Sequence, residues 1–383
     1  MANKGSRKRK TNKRRLEERQ GSERRALFWL VLAVCALAGG LFLMQASRYL
    51  RGFADLYKGN IYPLIVRTLG RAWGKVPFSA VEVLLYLFIC FWIVFLLVSV
   101  TSLFQRKKGA FKRLGLRLLA LAATCSVLFF VYEANCGVNY QATSFSEQAG
   151  LTRSGYDAES LQKVCADLTQ ELIALSGQVE RDKNGELAEA EEWKQEAVEA
   201  MAALGKEYPQ LAAAYPQPKP VFISRILSVQ NVTGVYSPFT VEANYNTEMA
   251  SYNIPFTMCH ELSHLCGYMR EDEANFIGWL ACRQSDNIAF QYSSAMLGWI
   301  NCGNELARYD MQAYSELSAM LPEEVRKELN INNAFWKKYE GEASQVHEQV
   351  NDAYLKANGQ TEGIRTYERM VELIVSYYQA KAN

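Results

Sequence analysis

Along the first third of the chain apolar residues come in long uninterrupted runs, and beyond residue 150 they come at intervals. Residues 26–44 carry no charge, residues 78–104 have Glu82 near their entry and an uncharged centre, and residues 114–132 carry Arg117 near their start. A hydrocarbon core about 30 Å thick needs roughly 20 apolar residues of helix, so the pattern predicts membrane spans at about 26–44, 80–104 and 114–134. Arg117 can reach the interface along its aliphatic stem. No small-residue cleavage site follows the first run, and more spans come after it, which argues against a signal peptide.

Beyond the spans the period changes. Residues 157–175 repeat apolar positions at three and four, the mark of an amphipathic helix. Residues 187–204 form an Ala- and Glu-rich helix, and Pro216, Pro218 and Pro220 then interrupt the chain. Residues 221–246 are rich in β-branched and aromatic types with Gly and Pro punctuation, which predicts two or three short strands. Helices follow at about 256–266, from about Glu271 onward, at 304–320, at 322–329 and at 363–381. The expected fold is mainly α: three N-terminal transmembrane helices, then an α+β domain with a small sheet. Its parts are a basic arm (1–25), a membrane region (26–134) and an exported domain (135–383).

The formal charge of +2 in 383 residues hides an asymmetry. Residues 1–25 are dominated by Lys and Arg, with three Glu and no apolar run, which reads as a disordered arm. A span follows at once, so the arm is expected to sit in the cytoplasm against anionic lipid rather than on nucleic acid. The basic loop at 105–117 belongs on the same side. The loop at 45–77 is basic too, though less densely, and argues mildly against this topology. With an odd number of spans, everything after about residue 135 lies outside the cytoplasm. Nine cysteines show no CxxC pair. Cys35, Cys90 and Cys125 fall in the spans; Cys136, Cys165, Cys259, Cys266, Cys282 and Cys302 fall in the exported part, where disulfides are possible but their pairing is not readable.

Candidate chemistry is concentrated in His260-Glu261-Leu262-Ser263-His264, an HExxH pattern containing two of the three histidines. At about 100° per residue, positions four apart share one helix face, so both imidazoles can reach one cation while Glu261 faces a water on it. A zinc site of the catalytic kind needs a third protein ligand and one open position. Gly267 suits a left-handed cap that turns the chain back toward the histidines. Glu271 and Glu273 both follow within reach. They lie about 200° apart around a helix, so only one should face the metal. Asn275, four residues after Glu271, can orient a ligand. Cys259 and Cys266 read as packing residues. The bland alternative is an amphipathic helix with two buried, hydrogen-bonded histidines.

The pair Glu271/Asn275 resembles the ExxxD arrangement of gluzincin metallopeptidases, which favours Glu271 as third ligand, with Asn in place of the family's Asp. Helices around a small sheet, with HExxH on a central helix, resemble the zincin layout. That resemblance implies an edge strand that pairs with a peptide substrate by strand addition. Tyr236, Glu242, Asn244 and Asn246 are the candidates, and an ordinary half-buried hairpin is the other reading. The chain also resembles a bacterial membrane family of unknown function, domain family 3810, over residues 57–86, 234–246, 256–281 and 350–374. That resemblance implies a membrane-anchored zinc peptidase and names no substrate. The EDEAN block is similar to one in cytoplasmic zinc peptidases that cleave bacterial repressors, from which no substrate is carried over.

The expectation is therefore a multi-pass protein of the bacterial cell membrane, N-terminus cytoplasmic, binding one Zn2+ and hydrolysing peptide bonds of an extracytoplasmic peptide or protein. Glu261 would take a proton from a water acidified by the metal and pass it to the leaving amine. A tyrosine such as Tyr245, Tyr252, Tyr268, Tyr292 or Tyr314 could assist the oxyanion, whereas His347 is far away in sequence. The runner-up is a catalytically inactive zinc-binding sensor or envelope assembly factor, which the intact Glu261 argues against. A transport component is disfavoured by spans nearly free of ionisable residues.

Overall fold

A helix that is apolar all round belongs in a protein core or a membrane, and the three runs are not covered by the rest of the chain. The computed structural model describes residues 2–105, 109–151, 155–360 and 369–382. Three of its helices are long and apolar enough to cross a membrane, at Gln20–Tyr49, Ala80–Ser102 and Ala110–Gln141. They belong to α1 (Ala2–Tyr49), α2 (Ala80–Phe104) and α3 (Ala110–Tyr132). The chain forms two units, Met1–Leu50 with Leu84–Ala134, and Arg51–Val83 with Asn135–Asn383.

In the first unit α1 packs on α3 where Gly39 and Gly40 face Phe130 and Phe129. A Cβ on Gly40 would sit 2.6 Å from the Phe129 ring, so glycine is what lets the two backbones close. The helix α1 starts at Ala2, so the arm expected to be disordered is helical and continuous with the span. Its Lys, Arg and Glu are strong helix formers, and no Pro breaks it. Part of the basic loop, residues 106–108, lies outside the described residues.

The second unit takes in residues 51–83, which the apolar pattern had assigned to the membrane region. Their short helical turns bury Ala54, Tyr57, Tyr62 and Val66. The first turn of α2, whose N–H groups have no partner within the helix, is capped from the sheet. The Glu242 carboxylate accepts from Ala80 N (3.3 Å) and Val81 N (2.9 Å) and is paired with Lys219. In return Glu82 accepts from Phe222 N (2.7 Å) and Ile223 N (2.9 Å).

The rest is helical around a three-stranded sheet. α4 (Ala158–Ser176) is capped by Asp157, which accepts from Ser160 N, and buries Leu161, Val164, Leu168 and Leu172 at the expected spacing. α5 (Trp193–Glu207) starts later than its Ala/Glu pattern suggested. The strands are β1 (Lys219–Pro220), β2 (Gly234–Ser237) and β3 (Glu242–Tyr245), in the order β1-β3-β2 with β1 parallel and β2 antiparallel to β3. A short helix, Arg225–Val229, occupies the stretch between β1 and β2 that had read as strand.

α6 (Asn253–Leu265) and α7 (Glu271–Gln284) follow. The helix expected to run on from Glu271 ends at Gln284, and α8 (Ile288–Tyr309) begins where the Asn287 side chain accepts from Ala289 N. Asp310 in turn caps α9 (Met311–Met320), so the helix expected at 304–320 is also two. α10 (Glu323–Lys337), α11 (Glu342–Ala357) and α12 (Arg369–Ala382) complete the unit; the expected start of the last helix, at 363–368, lies outside the described residues. The core gathers Leu168, Met201, Tyr252, Phe276, Trp279 and Phe290 around α6 and α7.

Candidate functional site

Every residue of α6 is buried, and Pro255 falls in its first turn, where a missing N–H costs nothing. His260 and His264 share a face, with Nε2 atoms 3.1 Å apart and rings nearly perpendicular. Gly267, at φ 94°, ends the helix in the left-handed region that its Gly suggested. The turn it makes brings the Tyr268 carbonyl to 2.7 Å from His264 Nδ1. A carbonyl only accepts, so the proton sits on Nδ1 and the lone pair on Nε2 points at His260.

α7 then returns Glu271. Its carboxylate lies 3.4 Å from His260 Nε2 and 3.7 Å from His264 Nε2. One ligand atom from each of His260, His264 and Glu271 fits within 4.8 Å of the others, a spacing one cation can bridge. Glu271, Asn275 and Gly278 recur at four and three, on the side of α7 that faces α6. At Gly278 a Cβ would come 2.9 Å from His260 N, so glycine sets how closely the two helices approach. Asn275 acts on the His260 ring. Glu273 points elsewhere: it accepts from Ser146 N (2.8 Å) and Ser146 Oγ (2.7 Å).

Glu261 is 3 % exposed, with Oε1 4.0 Å from His260 Nε2. Burial pushes its carboxyl up to about 8 and nearby Glu271 adds to this, while His260 and the Tyr236 N–H pull it down. Burial holds His264 down at about 4, keeping its ring neutral and fit to ligate. Burial also disfavours a charged His260, yet Glu271, Glu261 and Asn275 outweigh it and raise its pKa. Glu261 Oε2 is buried without a hydrogen-bond partner. Two carboxylates against two imidazoles, with one buried carboxylate oxygen unpaired, is an arrangement that a divalent cation and its water would satisfy.

The family described as Protein of unknown function (DUF3810) matches residues 57–375. The chain belongs to it. The match takes in the sheet, α6 and α7. No curated protein and no solved structure matches this DUF3810 chain.

Of the residues expected on a substrate-binding edge, the DUF3810 fold leaves only Tyr236 on an edge strand. Glu242 and Asn244 lie on β3, which is paired on both sides. Glu242 caps α2, and Asn246, just after β3, binds Ser228 Oγ and the Val232 carbonyl through its side-chain amide. The edge beside the site is β2, and its Gly234 lies over the site: a Cβ there would be 2.5 Å from Glu261 Oε1. Tyr236 stands beside His264 with ring centres 6.3 Å apart, but its hydroxyl donates to the Asn135 carbonyl and accepts from Tyr62.

Among the tyrosines considered for the oxyanion, Tyr268 donates to Gln148 and Tyr292 to Glu328. Tyr245 and Tyr252 are buried, and Tyr314 packs on Trp299 with the rings tilted by 36°. His347 sits on α11. Gly234, Gly278 and the Tyr268 carbonyl are the working parts that residue types alone did not mark. The one available signal was Gly278, seven residues after Glu271 and so on its face.

Proposed function

We propose that this protein is a membrane-anchored zinc metallopeptidase, its metal held by His260 Nε2, His264 Nε2 and the Glu271 carboxylate. The convergence of those three groups beside a buried Glu261 carries the reading. Bound there, zinc would act as a Lewis acid on the scissile carbonyl and on water. Glu261, in a site that favours its protonated form, is a strong base for a carboxylate; it removes a proton from the attacking water and delivers it to the departing amine. The Tyr268 carbonyl holds His264 in one tautomer, Asn275 steadies His260, and the outer edge of β2 is where an extended peptide would pair. A small sheet, a helix carrying His260, Glu261 and His264, and a following helix that brings Glu271 to the histidines support a zincin-like reading.

The same reading puts the protein in the bacterial cell membrane with its N-terminus in the cytoplasm and the metal unit outside. Basic residues before α1 and between α2 and α3 support that orientation. The folding of 51–83 with 135–383 supports three crossings, which deliver both segments to one side whichever side that is.

The test uses full-length protein in detergent. Wild type should hold about one zinc per chain and cleave a mixed peptide library. Glu261→Gln should keep the zinc and lose cleavage by about 10²–10⁴-fold, and His264→Ala should lose both. Zinc retained by all three without Glu261-dependent cleavage would favour an inactive zinc-binding sensor or assembly factor. The burial of His260, Glu261 and His264 is the observation on that side.

A further inference from the structure

Residues 66–75 carry a chemistry that the metal site does not use. Arg67, Arg71 and Lys75 recur four apart along a continuous helical stretch, so they rise along one side of it, and all three are exposed. They line a groove of about 620 Å³ whose opposite wall is Ala214, Tyr215 and Pro216. Gly74 holds the walls together: a Cβ there would come 2.9 Å from Pro216 Cβ. No acid lines the groove. None of the three cations makes a salt bridge among the described residues.

The surroundings of the groove are apolar and exposed. Leu64 precedes it at 58 % exposure and Phe78 follows it, with its ring 6.0 Å from that of Phe222, itself 69 % exposed. Soluble surfaces seldom gather such residues around a cationic groove. The segment is also tethered at both ends to apolar helices, Gln20–Tyr49 before it and Ala80–Ser102 after it. Phe222 is fixed to the first turn of the second of these through the Glu82 carboxylate. Lys75 is five residues from Ala80, so with that helix in a bilayer the chain itself keeps Lys75 within reach of the headgroups.

We propose that Arg67, Arg71 and Lys75 bind the phosphate headgroup of an acidic phospholipid, laying segment 51–83 on the membrane surface. Guanidinium forks match pairs of phosphate oxygens, and Lys75 adds a compact charge. A free phosphate has the same oxygens but no acyl chains to cover Leu64 and Phe78, so the lipid is the better match. The site also gives the basic residues of loop 45–77 a use unrelated to topology, which removes their objection to an exported second unit.

The experiment is native mass spectrometry of the full-length protein in detergent with equimolar phosphatidylglycerol and phosphatidylcholine. Wild type should retain phosphatidylglycerol in preference by about tenfold or more. Arg67→Gln/Arg71→Gln/Lys75→Gln should approach parity. The control Lys163→Gln/Lys183→Gln/Lys206→Gln removes the same charge from other exposed positions and should keep the preference. Arg71→Gln alone should weaken it, which covers failure of the triple variant to fold. No preference in wild type, or equal loss in both triples, overturns the proposal. So does displacement of the lipid by an equal concentration of glycerol phosphate. His264→Ala should bind lipid as wild type does, which separates this site from the metal reading.

Discussion

His264 Nδ1 donates to the Tyr268 carbonyl at 2.7 Å, and the bond exists because Gly267 between them adopts φ 94°. A side chain at Gly267 would meet left-handed strain and the Lys58 and Tyr62 side chains at 3.3 Å. Gly267→Ala should therefore cost about 1–2 kcal/mol of stability. It should also weaken zinc binding by about 10–100-fold, as loss of a ligand's orienting partner does. Thermal melting and competitive chelation measure the two effects. Unchanged metal affinity in a folded variant would show that the carbonyl does not set the ligand.

Glu271 and Glu273, two residues apart, should separate cleanly. Glu271→Gln removes a carboxylate from the histidine pair and should abolish stoichiometric zinc while leaving the fold intact. Glu273→Gln weakens two buried bonds to Ser146 and should lower stability by about 1–3 kcal/mol with zinc retained. Atomic absorption beside denaturant titration reads both, and the reverse pattern would exchange their roles.

Gly234 tests the approach of β2 to Glu261. A methyl there would meet Glu261 Oε1 at 2.5 Å, Thr257 Cγ2 at 2.7 Å and the Asn244 carbonyl at 2.9 Å, so something must shift. Gly234→Ala should cost about 1–3 kcal/mol and reduce peptide cleavage more than zinc content. Cleavage equal to wild type would mean that the strand does not border the reacting groups.

Lys58 gives a pH signature outside the metal cluster. Its Nζ is buried over the Tyr268 ring without a hydrogen-bond partner. Burial lowers its pKa to about 7, against weaker upward pulls from Cys266, Glu273 and Asp55. The unfolded chain, with a lysine pKa of about 10.4, binds a proton that the folded chain lacks between those two values. Stability from this group thus rises with pH across that window, and the full penalty applies below about 7. Lys58→Met should raise the melting temperature at about pH 6, with the gain shrinking toward pH 10. A gain that is constant with pH would rule out the buried ammonium as its source.

What could be read in the sequence was local. The helix period alone brings His260 over His264, Gly267 announces its own turn, and apolar runs disclose the three long helices. What could not be read depends on contacts far apart in the chain. Glu242 looks like a strand residue facing a substrate until Ala80 and Val81, some 160 positions earlier, donate to it. The edge strand was misassigned because β1 is a two-residue parallel partner containing Pro220, which carries no strand signature, yet it covers β3 and leaves β2 outermost. Helix breaks at Asn287 and Asp310 rest on single capping side chains within otherwise continuous apolar periods. Residues 51–83 are flanked by spans and resemble a membrane connection in composition; only their buried Tyr57, Tyr62 and Val66 reveal the other unit.

The clamp in which Glu242 holds Ala80 and Val81 while Glu82 holds Phe222 and Ile223 ties the first turn of the second apolar helix to the sheet and the chain beside it. Helices answer a thicker or thinner bilayer by changing tilt. Here the first turn of such a helix is held by four hydrogen bonds, so a change in tilt would load those bonds first. Bilayer thickness would then be felt first as strain at Glu242 and Glu82, the two carboxylates that hold that turn.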